Sequence, residues 1–163
     1  MRRPRAALAP CGLVLLVSVL VACAAPGASP GPAASPGLTP FLGVWSRHGA
    51  GLTISPDGSF SFDWRTYRMC GQYPPPCDQV VNNVITGGGR ATGTVHAVAA
   101  RSADGQVSAT TDANVVPAAS FVADVTDYQL LTLRFPSTTL TLCGNDFAKL
   151  APAQVARTQP CGA

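Results

Sequence analysis

The side chains that can do chemistry in this 163-residue sequence are few: two histidines, eight aspartates, six cysteines and no glutamate. His48 follows Trp45 and Arg47, and Asp63 or Asp78 is a candidate carboxylate partner for it. An oriented imidazole of that kind is the general base of many hydrolases. A triad or a metal site needs a third group, which the spacing does not supply, so His48 also reads simply as a hydrogen-bonded loop residue. His96 falls on the threonine side of an alternating run and is expected in solvent. Gly27-Ala28-Ser29-Pro30-Gly31 matches the G-x-S-x-G nucleophile pattern, but that motif needs a strand before it and a helix after it, and the surrounding prolines favour neither. Gly87-Gly88-Gly89-Arg90 lacks the Lys-Ser/Thr and the helix of a phosphate loop and reads as a mobile loop. The expectation is a non-enzymatic chain with no catalytic residue, metal or cofactor.

The N-terminus carries more information. Met-Arg-Arg-Pro-Arg is followed by an uncharged run over residues 6–22 that is rich in Ala, Leu and Val. A basic head, an apolar stretch and small residues before a cut define a secretory signal. The run is short of the roughly 20 apolar residues of a spanning helix and is interrupted by Pro10 and Gly12. Arg2-Arg3 lacks the apolar residues that follow a twin-arginine signal, so general secretion is expected.

Leu20-Val21-Ala22-Cys23 closes that run. It resembles the lipobox of bacterial lipoproteins. The resemblance implies that Cys23 takes a diacylglyceryl group and becomes the first residue after cleavage. Two acyl chains such as palmitate suffice for stable anchoring, at about 0.8 kcal/mol per buried CH₂. The implied location is the extracytoplasmic face of the cell membrane, lipid-anchored. The implied division is a signal peptide over 1–22, a lipidated cysteine with a disordered Pro/Gly/Ala/Ser linker over 23–40, and a folded domain over 41–163.

Export also decides the cysteines and the charge. Cys11 leaves with the signal and Cys23 carries lipid, so Cys70, Cys77, Cys143 and Cys161 remain in an oxidising compartment. Four cysteines allow three pairings. Proximity in sequence selects Cys70–Cys77 and Cys143–Cys161, and the spacing is not that of a zinc site. Without Arg2, Arg3 and Arg5, eight cations (seven arginines and Lys149) face eight aspartates, a net charge of zero. A neutral domain has no electrostatic footprint for nucleic acid. Trp64, Arg65, Tyr67, Arg68 and Tyr73 cluster beside the Cys70–Cys77 loop. Aromatic residues and Arg are common anchors at binding surfaces, so these five are the candidate ligand or partner contacts.

The elements that must position them are strands. Leu52 and Ile54 alternate with Thr53; Phe60, Phe62 and Trp64 alternate with Ser61 and Asp63. Ser55-Pro56-Asp57-Gly58 is turn chemistry between them. Beyond Thr66 the phase changes at Tyr67 and Met69, and residues 70–90 read as irregular. Val95, Ala97 and Ala99 share one side, Ser102-Ala103-Asp104-Gly105 reads as a turn, and Val107 to Thr111 as a returning strand. Further strands are expected over Phe121–Val125, Leu130–Phe135 and Thr139–Leu142, with a helical turn capped by Asn145 or Asp146 and ended by Pro152. The predicted class is all-β: a small antiparallel β-barrel or sandwich of six to eight strands.

Gly43-Val44-Trp45 before the first strand resembles the G-x-W signature of lipocalin-like barrels. That resemblance implies a tryptophan closing one barrel end under a late-strand arginine, here Arg134. The run from Gly43 to Arg90, with Trp45, His48, Trp64, Tyr67, Cys70 and Cys77 at its marks, is similar to secreted proteins and lipoproteins of high-GC Gram-positive bacteria, a resemblance that implies no activity. The functional expectation is a monomeric, lipid-anchored envelope domain that binds a small apolar ligand or a protein. The alternatives are an envelope hydrolase using His48 with an aspartate, or an interaction or inhibitor module without a pocket.

Overall fold

The structure, a computed structural model, describes residues 37–162. Ten strands run in chain order: β1 Gly43–Arg47, β2 Ala50–Ile54, β3 Ser59–Trp64, β4 Asp78–Val81, β5 Val84–Gly87, β6 Gly89–Ala99, β7 Ser102–Thr110, β8 Ser120–Val125, β9 Leu130–Arg134 and β10 Thr139–Gly144. Two single-turn helices follow, α1 Phe147–Leu150 and α2 Ala153–Ala156. Eight strands close into a barrel in the order β1-β10-β9-β8-β7-β6-β3-β2, and every pair in it is antiparallel. Apart from the closing pair, neighbours are consecutive in the chain; only between β3 and β6 does the chain leave the wall, to form the separate β4–β5 hairpin. This is an up-and-down barrel, the architecture that lipocalins share with streptavidin.

Period-two alternation explains the wall. Leu52 and Ile54 on β2, Phe60, Phe62 and Trp64 on β3, Phe121, Ala123 and Val125 on β8, and Leu140 and Leu142 on β10 all point inward and are buried. Eight strands leave an interior that side chains can fill or that can hold one small ligand. Here the interior is filled, by aromatic rings lying over glycines on the adjacent strand. Trp64 faces Gly89, Phe60 faces Gly93, and Phe121 faces Gly105 in direct register. A methyl group added at Gly89 would meet the Trp64 ring at 2.1 Å, and one at Gly105 would meet the Phe121 ring at 2.1 Å. Phe121 also packs edge-on against Phe60 and at a tilt against Phe135, at centroid distances of 5.7 and 4.9 Å.

The two ends close differently. At one, a 3₁₀ turn (Thr39–Phe41) covers the barrel; Leu38 and Phe41 are fully buried, and the Trp45 indole donates to the Phe41 carbonyl at 2.8 Å. At the other, Val116 enters the core from the β7–β8 loop. The seam between β1 and β10 has only two register pairs, Trp45 with Gly144 and Ser46 with Cys143. The C-terminal segment straps it: Cys161 is bonded to Cys143 on β10, while its carbonyl accepts the His48 N–H just beyond β1 at 2.7 Å.

Several sequence expectations change. Leu38, assigned to the linker, belongs to the core. Ser102–Gly105 is strand and not turn, because Ala103 packs inside and Gly105 accommodates Phe121; the turn falls at Ala100-Arg101. The stretch 70–90 contains the β4–β5 hairpin. Its glycine run is not a mobile loop: Gly87 ends β5, Gly89 begins β6, and a methyl group at Gly88 would strike the Trp64 carbonyl at 2.1 Å. Arg134 does not cover Trp45; it lies on the outer wall, paired with Asp124.

Candidate interaction surface

Strand β3 ends at Trp64, at the barrel end opposite the 3₁₀ turn, and the chain needs a sharp change of direction to leave the wall. Asp78 holds that change. It is the buried charged residue of the described fold, 2% exposed, and its carboxylate accepts the backbone N–H groups of Thr66 at 3.0 Å and Tyr67 at 2.8 Å. Its own backbone continues the clamp, donating to the Arg68 carbonyl at 2.7 Å and accepting from the Cys70 N–H at 2.8 Å. Charge-assisted bonds to amides are stronger than neutral ones, and they hold Tyr67 at φ 56°, a left-handed conformation costly for an aromatic residue.

The strained Tyr67 is presented outward: it is 64% exposed, and its ring stacks on His48 with centroids 6.2 Å apart and planes within 6°. The Cys70–Cys77 disulfide closes the adjoining loop. From that loop Tyr73 projects, half exposed, with the Arg68 guanidinium over its ring at 6.0 Å. Among the described residues neither Arg65 nor Arg68 is in an ion pair, whereas the nearby Arg90 pairs with Asp63 at 3.2 Å.

Of the five residues singled out in the sequence, Arg65, Tyr67, Arg68 and Tyr73 share this surface. Trp64 does not. It is 6% exposed, belongs to the core, and its indole Nε1–H is buried without a hydrogen-bond partner among the described residues. The surface gains instead a feature the sequence reading missed. The β4–β5 hairpin stands beside the disulfide loop, and Val80, Val81, Val84 and Ile85 on it are all exposed, Val84 to 59%. Val80 lies opposite Ile85 and Val81 opposite Val84, so both faces of the hairpin carry an apolar pair. Seven of the twelve large apolar side chains exposed among the described residues lie between Tyr67 and Ile85, which makes this a patch and not scatter.

The mouth of the barrel at this end is a hollow of about 240 Å³ lined by Phe62, Trp64, Tyr67, Val115 and Leu140, with Arg47, His48 and Arg65 at its polar rim. That is below the roughly 300–1,000 Å³ of small-molecule sites. Larger grooves open to solvent outside the interior: one of about 530 Å³ at the opposite end, with Arg101 and Asp127, an exposed ion pair, among its lining, two of about 480 and 540 Å³ lined in part by His48, and one of about 660 Å³ lined in part by Phe121 and Arg134. For hydrolytic chemistry the proposed partners of His48 have other roles: Asp63 lies against Arg90, and Asp78 receives two amides. Among the described residues no three His, Cys, Asp or Glu side chains are grouped to hold a metal ion. His96 is exposed on β6 in register with Asp104.

No protein-family model matches the chain, and no curated protein or solved structure is detectably similar to it. Leu20–Cys23 and the Gly27–Gly31 motif lie outside the described residues.

Proposed function

We propose that this chain is an interaction module of the cell envelope, tethered to the membrane through lipid on Cys23 and binding a protein at the end of the barrel that carries Tyr67, Tyr73 and the β4–β5 hairpin. The observation that carries the reading is the contrast between a filled interior and an apolar exterior: rings occupy the space a carried ligand would need, while the hairpin exposes apolar side chains on both faces. Large exposed apolar patches on soluble domains mark interaction sites. The lipobox-like Leu20–Cys23 supports the anchor.

Two substitutions test the parts separately. Cys23→Ala is expected to abolish acyl labelling and membrane retention of the processed protein; unchanged labelling would remove the anchor from the proposal. A photo-crosslinking residue at Val84 is expected to give a discrete protein adduct in intact cells, while the same residue at Val98, an equally exposed valine on β6, gives none. Equal behaviour at the two sites would remove the interaction surface.

A further inference from the structure

The hairpin also presents an open sheet edge, and we propose that this edge, on β5, pairs with the same edge of a second copy of the chain. The inference rests on the reading of the hairpin end as the interaction surface and names its occupant.

Asn82 and Asn83, at φ 51° and 62°, form the two-residue turn with both central residues left-handed that suits tight hairpins. Such a turn makes Val81 and Val84 the hydrogen-bonded pair. Antiparallel alternation then makes Val80 and Ile85 the next, non-bonded pair, with their N–H and C=O groups directed away from the hairpin. On the β4 side the segment Arg68–Cys70 lies against the edge and takes the outward groups at Asp78, which leaves only those at Val80, two residues away. On the β5 side, among the described residues, no backbone bond from outside the hairpin reaches Ile85.

Exposed edges are ordinarily blunted by charge, proline or a bulge. Residues 79–89 contain no charged residue and no proline, and the β4–β5 register runs without a shift. An edge left in that state fits an occupant that supplies a strand. A lipid bilayer would cover the valines but would leave the Ile85 N–H and C=O unpaired in an apolar phase. A β-strand satisfies both. The β5 edge is neutral and apolar, hence complementary to itself, and a two-fold axis is the ordinary symmetry of such a contact. With the axis beside Ile85, the two Ile85 residues exchange both backbone bonds, and Val80, Ile85 and their symmetry mates form one apolar row across a four-stranded sheet. Four half-exposed side chains are less than the roughly 800 Å² per partner of a standard interface. The contact is therefore weak in solution and gains from confinement of both copies to one membrane, which raises their effective concentration.

The test is disulfide trapping of the full chain in cells, with an added oxidant, comparing Ile85→Cys with Val80→Cys. Across the proposed axis the Ile85 Cα atoms stand about 5.5 Å apart, inside disulfide range, while the Val80 Cα atoms, three strands away, stand about 14 Å apart. A species of doubled mass is expected from Ile85→Cys, at least about 5-fold more abundant than from Val80→Cys. Adding Ile85→Lys to the chain carrying the Val84 photo-crosslinker is expected to abolish its self-adduct, because like charges would meet at the axis. Equal trapping at both positions, or none at either, overturns the inference, as insertion of the hairpin into lipid would. If Val84 then cross-links a different protein, the interaction surface stands and only its occupant is wrong; if Val84 cross-links nothing, both fall.

Discussion

Replacing Gly105 with alanine tests whether the barrel is filled. The new Cβ would lie 2.1 Å from Phe121 Cζ and 2.4 and 2.6 Å from its Cε atoms, whereas carbon atoms in contact prefer about 3.5–4.0 Å. The ring has to move by more than about 1 Å, and Phe60 and Phe135 stand on its flanks. Overpacking of this kind costs about 1–3 kcal/mol. An approach of 2.1 Å belongs in the upper part of that range, about 2–3 kcal/mol, and alanine recovers about 0.5–1 kcal/mol over glycine in a strand interior, which leaves a net loss of about 1–2.5 kcal/mol. For a domain of this size that lowers Tm by about 3–8 °C. Urea unfolding followed by tryptophan fluorescence measures it as a lower midpoint with an unchanged m-value. Pairing the change with Phe121→Leu removes the collision, so the double variant should lose less than the sum of the singles by about 1 kcal/mol or more. A neutral Gly105→Ala, or strict additivity, would mean that the ring has a void to swing into, as in a ligand-carrying barrel, and would refute the filled interior.

Two further outcomes follow from the clamp and the first hairpin. Asp78→Ala leaves the Thr66 and Tyr67 amides without their acceptor and should cost about 2–4 kcal/mol; because the loss is local, hydrogen exchange should quicken over residues 65–70 before the barrel amides change. Asp57 accepts the Ser59 hydroxyl and backbone N–H, which hold its carboxyl below the ordinary 3.8. A depressed folded-state pKa contributes stability above the unfolded value that is lost as pH falls through the folded one. The stability difference between the wild type and Asp57→Asn should therefore hold steady above about pH 5 and shrink as pH falls through 3.8 and below it, and a constant difference would remove Ser59 as its cause.

The barrel was legible where burial is one-sided. Phe60, Phe62 and Trp64 alternate cleanly, as do Leu131, Leu133 and the strands around them, so the antiparallel wall follows from the pattern, and both disulfides follow from proximity. The same alternation places Trp64 inside, which should have kept it out of the surface cluster. The β4–β5 hairpin was missed because it is exposed on both faces: Val80-Val81 and Val84-Ile85 are apolar doublets without period two. The pair Asn82-Asn83 between them was the available turn signal. The roles of Gly89, Gly93 and Gly105 were not legible, because they depend on which aromatic ring lies opposite, and cross-strand register is set by the whole sheet. Asp78 was noted as a partner for His48, yet the amides it accepts come from residues 66–67, which only the folded chain brings beside it.

The most direct measurement on the account is the adduct formed in intact cells by a photo-crosslinker at Val84, compared with one at Val98. Both positions are 59% exposed, so exposure alone cannot separate them. A discrete adduct at Val84 and none at Val98 is expected if the hairpin end is the working surface. The same adducts at both, or none at Val84, would contradict it.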